Sequence, residues 1–217
     1  MSDITLFDYW RSSASYRVRI ALNLSGLDYR LVSINLLEKE HKSEAYLARN
    51  PQGLVPALEI DGHVLTSSLA IIEYLDSKRG LGLLPQDPVT RAHTQALAHS
   101  LAIDIHPVCN LSVVAYAADI AEGKDNVRED WMKHFIRPGL RAFETLLSRF
   151  DQTPYCTGNA PGLADICLIP QIYNADRWGV DYADCPKIIT VVEACRELAA
   201  FQDAHPDRAK EKAVIKR

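Results

Sequence analysis

No stretch of this 217-residue chain approaches the ~18 consecutive apolar residues that a membrane span requires. An excess of one charge is also missing: 24 Lys and Arg stand against 28 Asp and Glu, giving a formal net charge of −4 and a pI near 6.0. That balance provides no basic footprint for nucleic acid or for an anionic membrane surface. The five cysteines, Cys109, Cys156, Cys167, Cys185 and Cys195, are odd in number, scattered, and include no C-x-x-C pair. This argues against a disulfide framework, a zinc site and a dithiol redox centre together, and no His, Cys and carboxylate set completes a metal site. Met1-Ser2-Asp3 places an acid where a secretory signal has a basic region, so a reducing cytoplasm is the expected home. Internal repeats and low-complexity tracts are absent. What remains is an ordinary globular composition, 47% hydrophobic and 24% charged, with enough length to bury a real core as one large or two small domains.

The pattern changes partway along the chain. From Ile4 to about Gly80 strands and helices alternate: Ile4–Tyr9 extended, Ser13–Leu24 helical, Tyr29–Ile34 extended, then a polar segment from His41 to Asn50. Two short strands follow, Val55–Ile60 and His63–Thr66, around the hairpin signal Asp61-Gly62, and a helix covers Leu69–Lys78. The order β-α-β-(α)-β-β-α predicts a small mixed sheet covered by helices. Residues 81–88, with Gly82, Pro85 and Pro88, read as a linker. Beyond it only helical periodicity is found, over Arg91–Ile120, Val127–Phe150, Leu163–Asn174 and Ile188–Phe201. Pro107 and Pro138 are expected to kink or split the first two of these. The basic residues from Arg208 to Arg217 alternate with acids and read as a solvated end.

Within this frame Ser12-Ser13 and Ser67-Ser68 each stand where a helix opens. A serine there is a preferred N-cap. Three serines between Arg11 and Arg17 exceed what one cap needs, and a helix N-terminus with spare hydroxyls suits an anion. Pro56 leaves two possibilities: a plain strand start, or a cis Val55–Pro56 bond that turns the Val55 backbone toward an extended peptide ligand. His106, beside Pro107, is a buried or capping histidine unless it serves a site. Arg177 can stack on Trp178, pair with Asp176 or Asp181, or bind a ligand. A ligand combining thiolate, carboxylate and peptide backbone would satisfy both serine clusters and Val55 together, and glutathione has that shape.

Arg11-Ser12-Ser13-Ala14-Ser15-Tyr16-Arg17-Val18-Arg19-Ile20-Ala21-Leu22 resembles the hallmark R-S-S-C-S-x-R-V-R-I-A-L of the zeta class of glutathione transferases. Further matches follow in order: Asn50-Pro51, Leu69 to Leu75, Leu83 to Pro88, Ile105 to Ser112, Ala164 to Gln171 and Asn174 to Arg177. The resemblance implies a thioredoxin-like domain over residues 1–80, a linker at 81–88 and an all-helical domain over 89–217, the glutathione transferase fold. It implies Ser12 as the hydroxyl on the glutathione sulfur, with Ser13, Ala14, Ser15, Tyr16 and Arg17 lining the pocket and Val55 pairing with the cysteinyl backbone. Ser67 and Ser68 would hold the γ-glutamyl carboxylate, and His41 would approach the glycyl carboxylate. His106, Asn110, Leu111 and Ser112 would close the cleft, while Arg11 and Arg177 face a small unsaturated dicarboxylate.

The implied activity is glutathione-dependent cis–trans isomerisation of maleylacetoacetate to fumarylacetoacetate by a cytoplasmic homodimer. Maleylpyruvate isomerisation, conjugation or dehalogenation of α-halo acids, and a non-catalytic binding module are the rivals. Three positions depart from the family pattern: Ala14 replaces the hallmark cysteine, Ser67 a Gln or Glu, and Gly162 a capping Thr.

Overall fold

The computed structural model describes residues 4–121 and 125–214. Met1-Ser2-Asp3, on which the leader reading rests, and the tail residues Lys216 and Arg217 lie outside the described residues. The chain forms two compact units, Met1–Gly82 with Arg196–Arg217, and Leu83–Cys195. From the sequence the residues after Cys195 belong with the helical half; by packing the described ones, 196–214, sit with the first unit.

In the first unit the strands β1 (Thr5–Asp8), β2 (Arg30–Ser33), β3 (Ala57–Ile60) and β4 (His63–Thr66) form one sheet in the order β2-β1-β3-β4. β1 pairs parallel with β2 and antiparallel with β3, and β3 pairs antiparallel with β4. The β3–β4 hairpin turns at Asp61 and Gly62, both at positive φ, as a two-residue turn between right-twisted strands requires. Alternation along β1 sends Phe7 to one face, where it meets Ile34, Tyr46 and Ala57. The other face carries Leu6 and Asp8 toward helix α1 (Ser13–Leu24), whose Val18, Ile20, Ala21 and Leu22 are fully buried. The polar segment forms a 3-10 turn (Glu40–Lys42) and α2 (Glu44–Leu47), and α3 (Ser68–Arg79) packs beside α1.

The second unit holds α4 (Pro88–Ala102), α5 (Leu111–Ile120), α6 (Val127–Leu147), α7 (Leu163–Arg177) and α8 (Pro186–Arg196). The expected helix over 91–120 divides between Ile103 and Asn110. His106, preceding Pro107, is disfavoured in the α region, and the Asn110 side chain accepts from the Leu111 N–H as α5 begins. Pro138 does not split α6. It lies on the exposed side, where solvent can satisfy the carbonyl it orphans. Next to it Gly139 lets Ile105 close in: a Cβ there would stand 2.1 Å from the Ile105 Cδ1. α7 starts at Gly162 without a capping hydroxyl, but the buried Asp165 carboxylate accepts from the Gly162 and Cys156 N–H groups at 2.8 and 2.9 Å.

The tail is the main departure from the sequence reading. After α8 the chain forms α9 (Ala199–Ala204), which divides the helix expected over Ile188–Phe201, and then α10 (Pro206–Val214), a helix not foreseen there, whose Arg208, Lys210 and Lys212 are exposed as the solvated-end reading had them. Phe201, Ala204 and Ala209 are buried, and α9 packs on α1.

Candidate functional site

Ser12 is the N-cap of α1: φ −70°, ψ 122°, its Oγ accepting from the Ser15 N–H at 3.2 Å. Its own N–H donates to the Tyr9 carbonyl at 2.8 Å, and its carbonyl receives the Tyr16 N–H at 2.9 Å. The bland role expected of a helix-opening serine is therefore real, yet it does not use up the residue. A hydroxyl has one donor and two acceptor positions, so accepting the Ser15 N–H fixes the oxygen and leaves its O–H to give to an anion. Arg11, Ser12, Ser13 and Ala14 are half-buried at this helix end, and the Ser13 and Ala14 N–H groups belong to the first turn, which has no intrahelical acceptors. Ser15, Tyr16 and Arg17 are instead buried inside the unit.

The burial of Arg17 has a consequence for the second serine pair. Its guanidinium, in a residue only 3% exposed, donates from Nη1 to Ser68 Oγ at 2.9 Å. Ser68 thus repeats the arrangement at Ser12: the oxygen takes a hydrogen bond from the protein and the O–H remains for a ligand, here with a fixed positive charge behind it. Ser67 behaves differently. It is exposed, sits at φ 68°, and makes no capping hydrogen bond.

Of the two possibilities at Pro56, the Val55–Pro56 peptide is cis. Val55 lies outside the ladder, which begins at Ala57, so its backbone groups are not consumed by sheet pairing. The loop delivering it is held from beneath: the Leu54 carbonyl accepts from both Tyr46 Oη and Asn50 Nδ2 at 2.7 Å, and Asn50 is buried. His41 lies on the preceding 3-10 turn with its Nδ1 buried and without a hydrogen-bond partner. Burial and, less, the neighbouring Lys42 charge hold its imidazole below the ordinary histidine range, so it is a neutral donor rather than a cation at pH 7. Taken together, the first unit presents one thiolate- or carboxylate-sized seat at Ser12, another at Ser68, and free backbone at Val55. These features fit the central cysteinyl residue and the γ-glutamyl end of glutathione, with His41 left for the glycyl carboxylate.

In the second unit, His106 lies in the break between α4 and α5, Asn110 caps α5, and Leu111 and Ser112 open that helix, both exposed. Arg177 is the last residue of α7 and stacks on Trp178, its Cζ 5.1 Å from the ring centroid. The five cysteines are free and buried, and burial raises the thiols of Cys109, Cys156, Cys185 and Cys195 above their ordinary range, which keeps them protonated and unreactive. Among the described residues no cluster of His, Cys, Asp or Glu suits a metal ion.

Sequence reasoning missed the supports. Asp8 and Arg19 form a buried ion pair at 2.5 Å, each about 1% exposed. Arg19 also donates from Nη2 to the Trp10 carbonyl at 3.0 Å and from Nε to the Ala204 carbonyl at 2.9 Å. It therefore braces the loop entering Ser12 against the C-terminal helices. Burial pushes the Asp8 carboxyl above its usual range and Arg19 pulls it back. The signal available was an acid at the end of a short, mostly apolar strand, for which a buried partner is the standard need.

Residues 2–77 match the family described as glutathione S-transferase, N-terminal domain. A maleylacetoacetate isomerase of Rhizobium meliloti is 54% identical over 210 residues, covering 96% of this chain and 99% of that protein. Among solved structures, a maleylpyruvate isomerase described as a bacterial glutathione S-transferase of the zeta class is similar with a TM-score of 0.90 and 39% identity, over 94% of this chain and 97% of that one. A maleylacetoacetate isomerase of Anaeromyxobacter dehalogenans with glutathione bound in its active site has a TM-score of 0.84 and 40% identity, over 94% and 95% of the two chains.

Proposed function

The chain belongs to the zeta class of the glutathione S-transferase family, and on that premise we propose that it is a glutathione-dependent isomerase converting maleylacetoacetate to fumarylacetoacetate. The observation that carries this reading is the Ser12 hydroxyl, fixed as an acceptor at the N-terminus of α1 with its proton left to donate. Glutathione held there would supply a nucleophilic thiolate, the chemistry that lets a cis double bond rotate, and would be recovered unchanged.

The residues of the chain set the conditions for that chemistry. Ser12 and the α1 terminus stabilise negative charge on sulfur, which lowers the thiol pKa and raises the thiolate fraction at pH 7. Ser68, with Arg17 behind it, holds the γ-glutamyl carboxylate, and Val55 pairs with the cysteinyl backbone. His41 donates to the glycyl carboxylate as a neutral imidazole. Arg11 and Arg177 take the carboxylate nearest the double bond and the oxygen on which charge develops, since a guanidinium forks onto both. His106, Asn110, Leu111 and Ser112 line the approach for the substrate. We place the enzyme in the cytoplasm as a homodimer. Free cysteines fit a reducing compartment, no helix among the described residues is long and apolar enough to cross a membrane, and family membership supports the dimer.

Ala14 in place of the hallmark cysteine removes any thiol chemistry at that position and leaves Ser12 intact. Maleylpyruvate is the second reading, favoured by the likeness to the maleylpyruvate isomerase structure. Leu111 and Ser112, where maleylpyruvate isomerases tend to carry an arginine, favour maleylacetoacetate. The test is isomerisation of maleylacetone with and without glutathione, with maleylpyruvate and a chlorinated acid in parallel. Expected is strictly glutathione-dependent isomerisation with total thiol unchanged; stoichiometric loss of thiol, or turnover without glutathione, overturns the reading.

A further inference from the structure

We propose that Lys210 is a substrate-binding residue that, from the Trp10 indole it shares with Arg11, takes the substrate carboxylate remote from the double bond, while Arg11 serves the end beside that bond. The proposal rests on the isomerase reading above.

Trp10 stands two residues before Ser12, in the loop that enters the site. Its carbonyl is held by Arg19 and its ring tilts against Tyr9 at a centroid separation of 5.9 Å. Two cations converge on this indole: the Arg11 Cζ lies 5.2 Å from the ring centroid and the Lys210 Nζ 5.1 Å. Both distances are inside the ~6 Å range of a cation–π contact. The two charges can therefore be no further apart than these distances laid end to end. Among the described residues neither forms an ion pair. The acid one turn before Lys210, Asp207, lies instead 3.5 Å from the His205 imidazole. Two like charges gathered at one ring without a counter-charge repel each other, and a dianionic substrate with one carboxylate toward each relieves that repulsion.

Lys210 is also not on a loose tail. Its helix follows α9, which is tied to α1 by the Arg19 bond to the Ala204 carbonyl and by Asn23 Nδ2 donating to the Ala200 carbonyl at 2.9 Å. His205, between α9 and α10, meets the Tyr16 ring edge-on at 6.1 Å. The backbone that carries Lys210 is thus fixed to the helix that carries Ser12. The division of labour follows from position. Arg11, adjoining Ser12, is beside the reacting bond, whereas Lys210 is exposed at the end of a flexible stem and reaches the far end of the substrate.

Maleylacetone carries one carboxylate and maleylacetoacetate two, so the pair isolates the remote group. Lys210→Met keeps the apolar stem against Trp10 and removes only the charge. For Lys210→Met the KM for maleylacetoacetate should rise about tenfold, the effect of losing one charge-assisted contact. Its KM for maleylacetone, its kcat and its calorimetric glutathione affinity should stay at wild-type values. Lys210→Glu should raise the maleylacetoacetate KM further, and Lys210→Arg should restore it. Equal changes for the two substrates, or no change for either, overturn the proposal. If wild type isomerises neither substrate, the isomerase reading fails instead. Calorimetry with succinate then decides the subsite, since equal affinities of wild type and Lys210→Met overturn it.

Discussion

At the start of α1 the cap residue Ser12 has an ordinary extended backbone and its side chain satisfies the helix, whereas at the start of α3 the cap residue Ser67 has φ 68° and its side chain caps nothing. The hydroxyl we propose for the ligand moves accordingly, from the cap itself at α1 to the first helical residue, Ser68, at α3. There it is fixed by a buried arginine from across the unit rather than by its own helix. The two helix ends share a sequence signal and differ in what stands behind the oxygen: a backbone N–H at Ser12, a guanidinium at Ser68. A backbone donor leaves the serine free to respond to charge developing on a thiolate. A fixed cation suits a carboxylate whose charge never changes.

That difference predicts separable losses. Ser12→Ala should lower kcat for maleylacetone by about 10²–10³-fold, as removal of a donor to developing charge does, and should lower stability by about 1 kcal/mol through loss of the cap. Ser12→Thr, which keeps both roles, should retain most of the rate. Steady-state kinetics beside urea denaturation check this, and full activity in Ser12→Ala would erase the distinction between the two ends. Ser68→Ala should instead leave kcat near wild type and weaken glutathione about tenfold by calorimetry, with stability lowered by about 1–3 kcal/mol because a buried guanidinium N–H loses its acceptor. A third change acts on the contrast itself. Ser67→Gly removes a side chain from a backbone conformation that L-residues rarely adopt, so it should raise stability by about 0.5–1 kcal/mol with kinetics unchanged.

Much of this was legible in the sequence, and the limits were physical. Helix α1 runs over the expected Ser13–Leu24, and the Asp61-Gly62 hairpin joins the expected strand His63–Thr66 to a strand whose paired part starts at Ala57 rather than Val55. Those features are set by neighbours in sequence: periodicity, a cap, a turn dipeptide. The bond from Arg17 to Ser68 spans 51 positions and the bond from Arg19 to Ala204 spans 185. No local pattern encodes such partners, which is why Arg17 reads as pocket lining from the sequence and is a buried support in the fold. Helix α10 went unseen for a related reason. Its residues are mostly charged, and what orders it is packing of Ala209 and the preceding α9 onto α1 rather than a broad apolar stripe.

The smallest expected effect comes from that same packing. His205 contacts the Tyr16 ring of α1, and burial is the main cause that holds its imidazole below the ordinary range; Arg19 and Arg196 add to this and Asp207 opposes it. His41, on the 3-10 turn after β2, is shifted in the same direction, by burial first and the Lys42 charge second. A histidine whose folded pKa lies below its unfolded value of ~6.5 binds protons more readily once the chain unfolds. Stability therefore rises with pH through the window ending near 6.5 and is flat above it, the reverse of a histidine that gains an acidic partner. Urea midpoints measured between pH 5.5 and 7.5 should fall on the acid side in wild type, and His205→Gln should flatten part of that slope. Because His205 is 42% exposed, the change is expected to be modest. A slope that survives unaltered in His205→Gln and disappears in His41→Gln would place the pH sensitivity at the 3-10 turn of His41 rather than at the junction that carries Lys210.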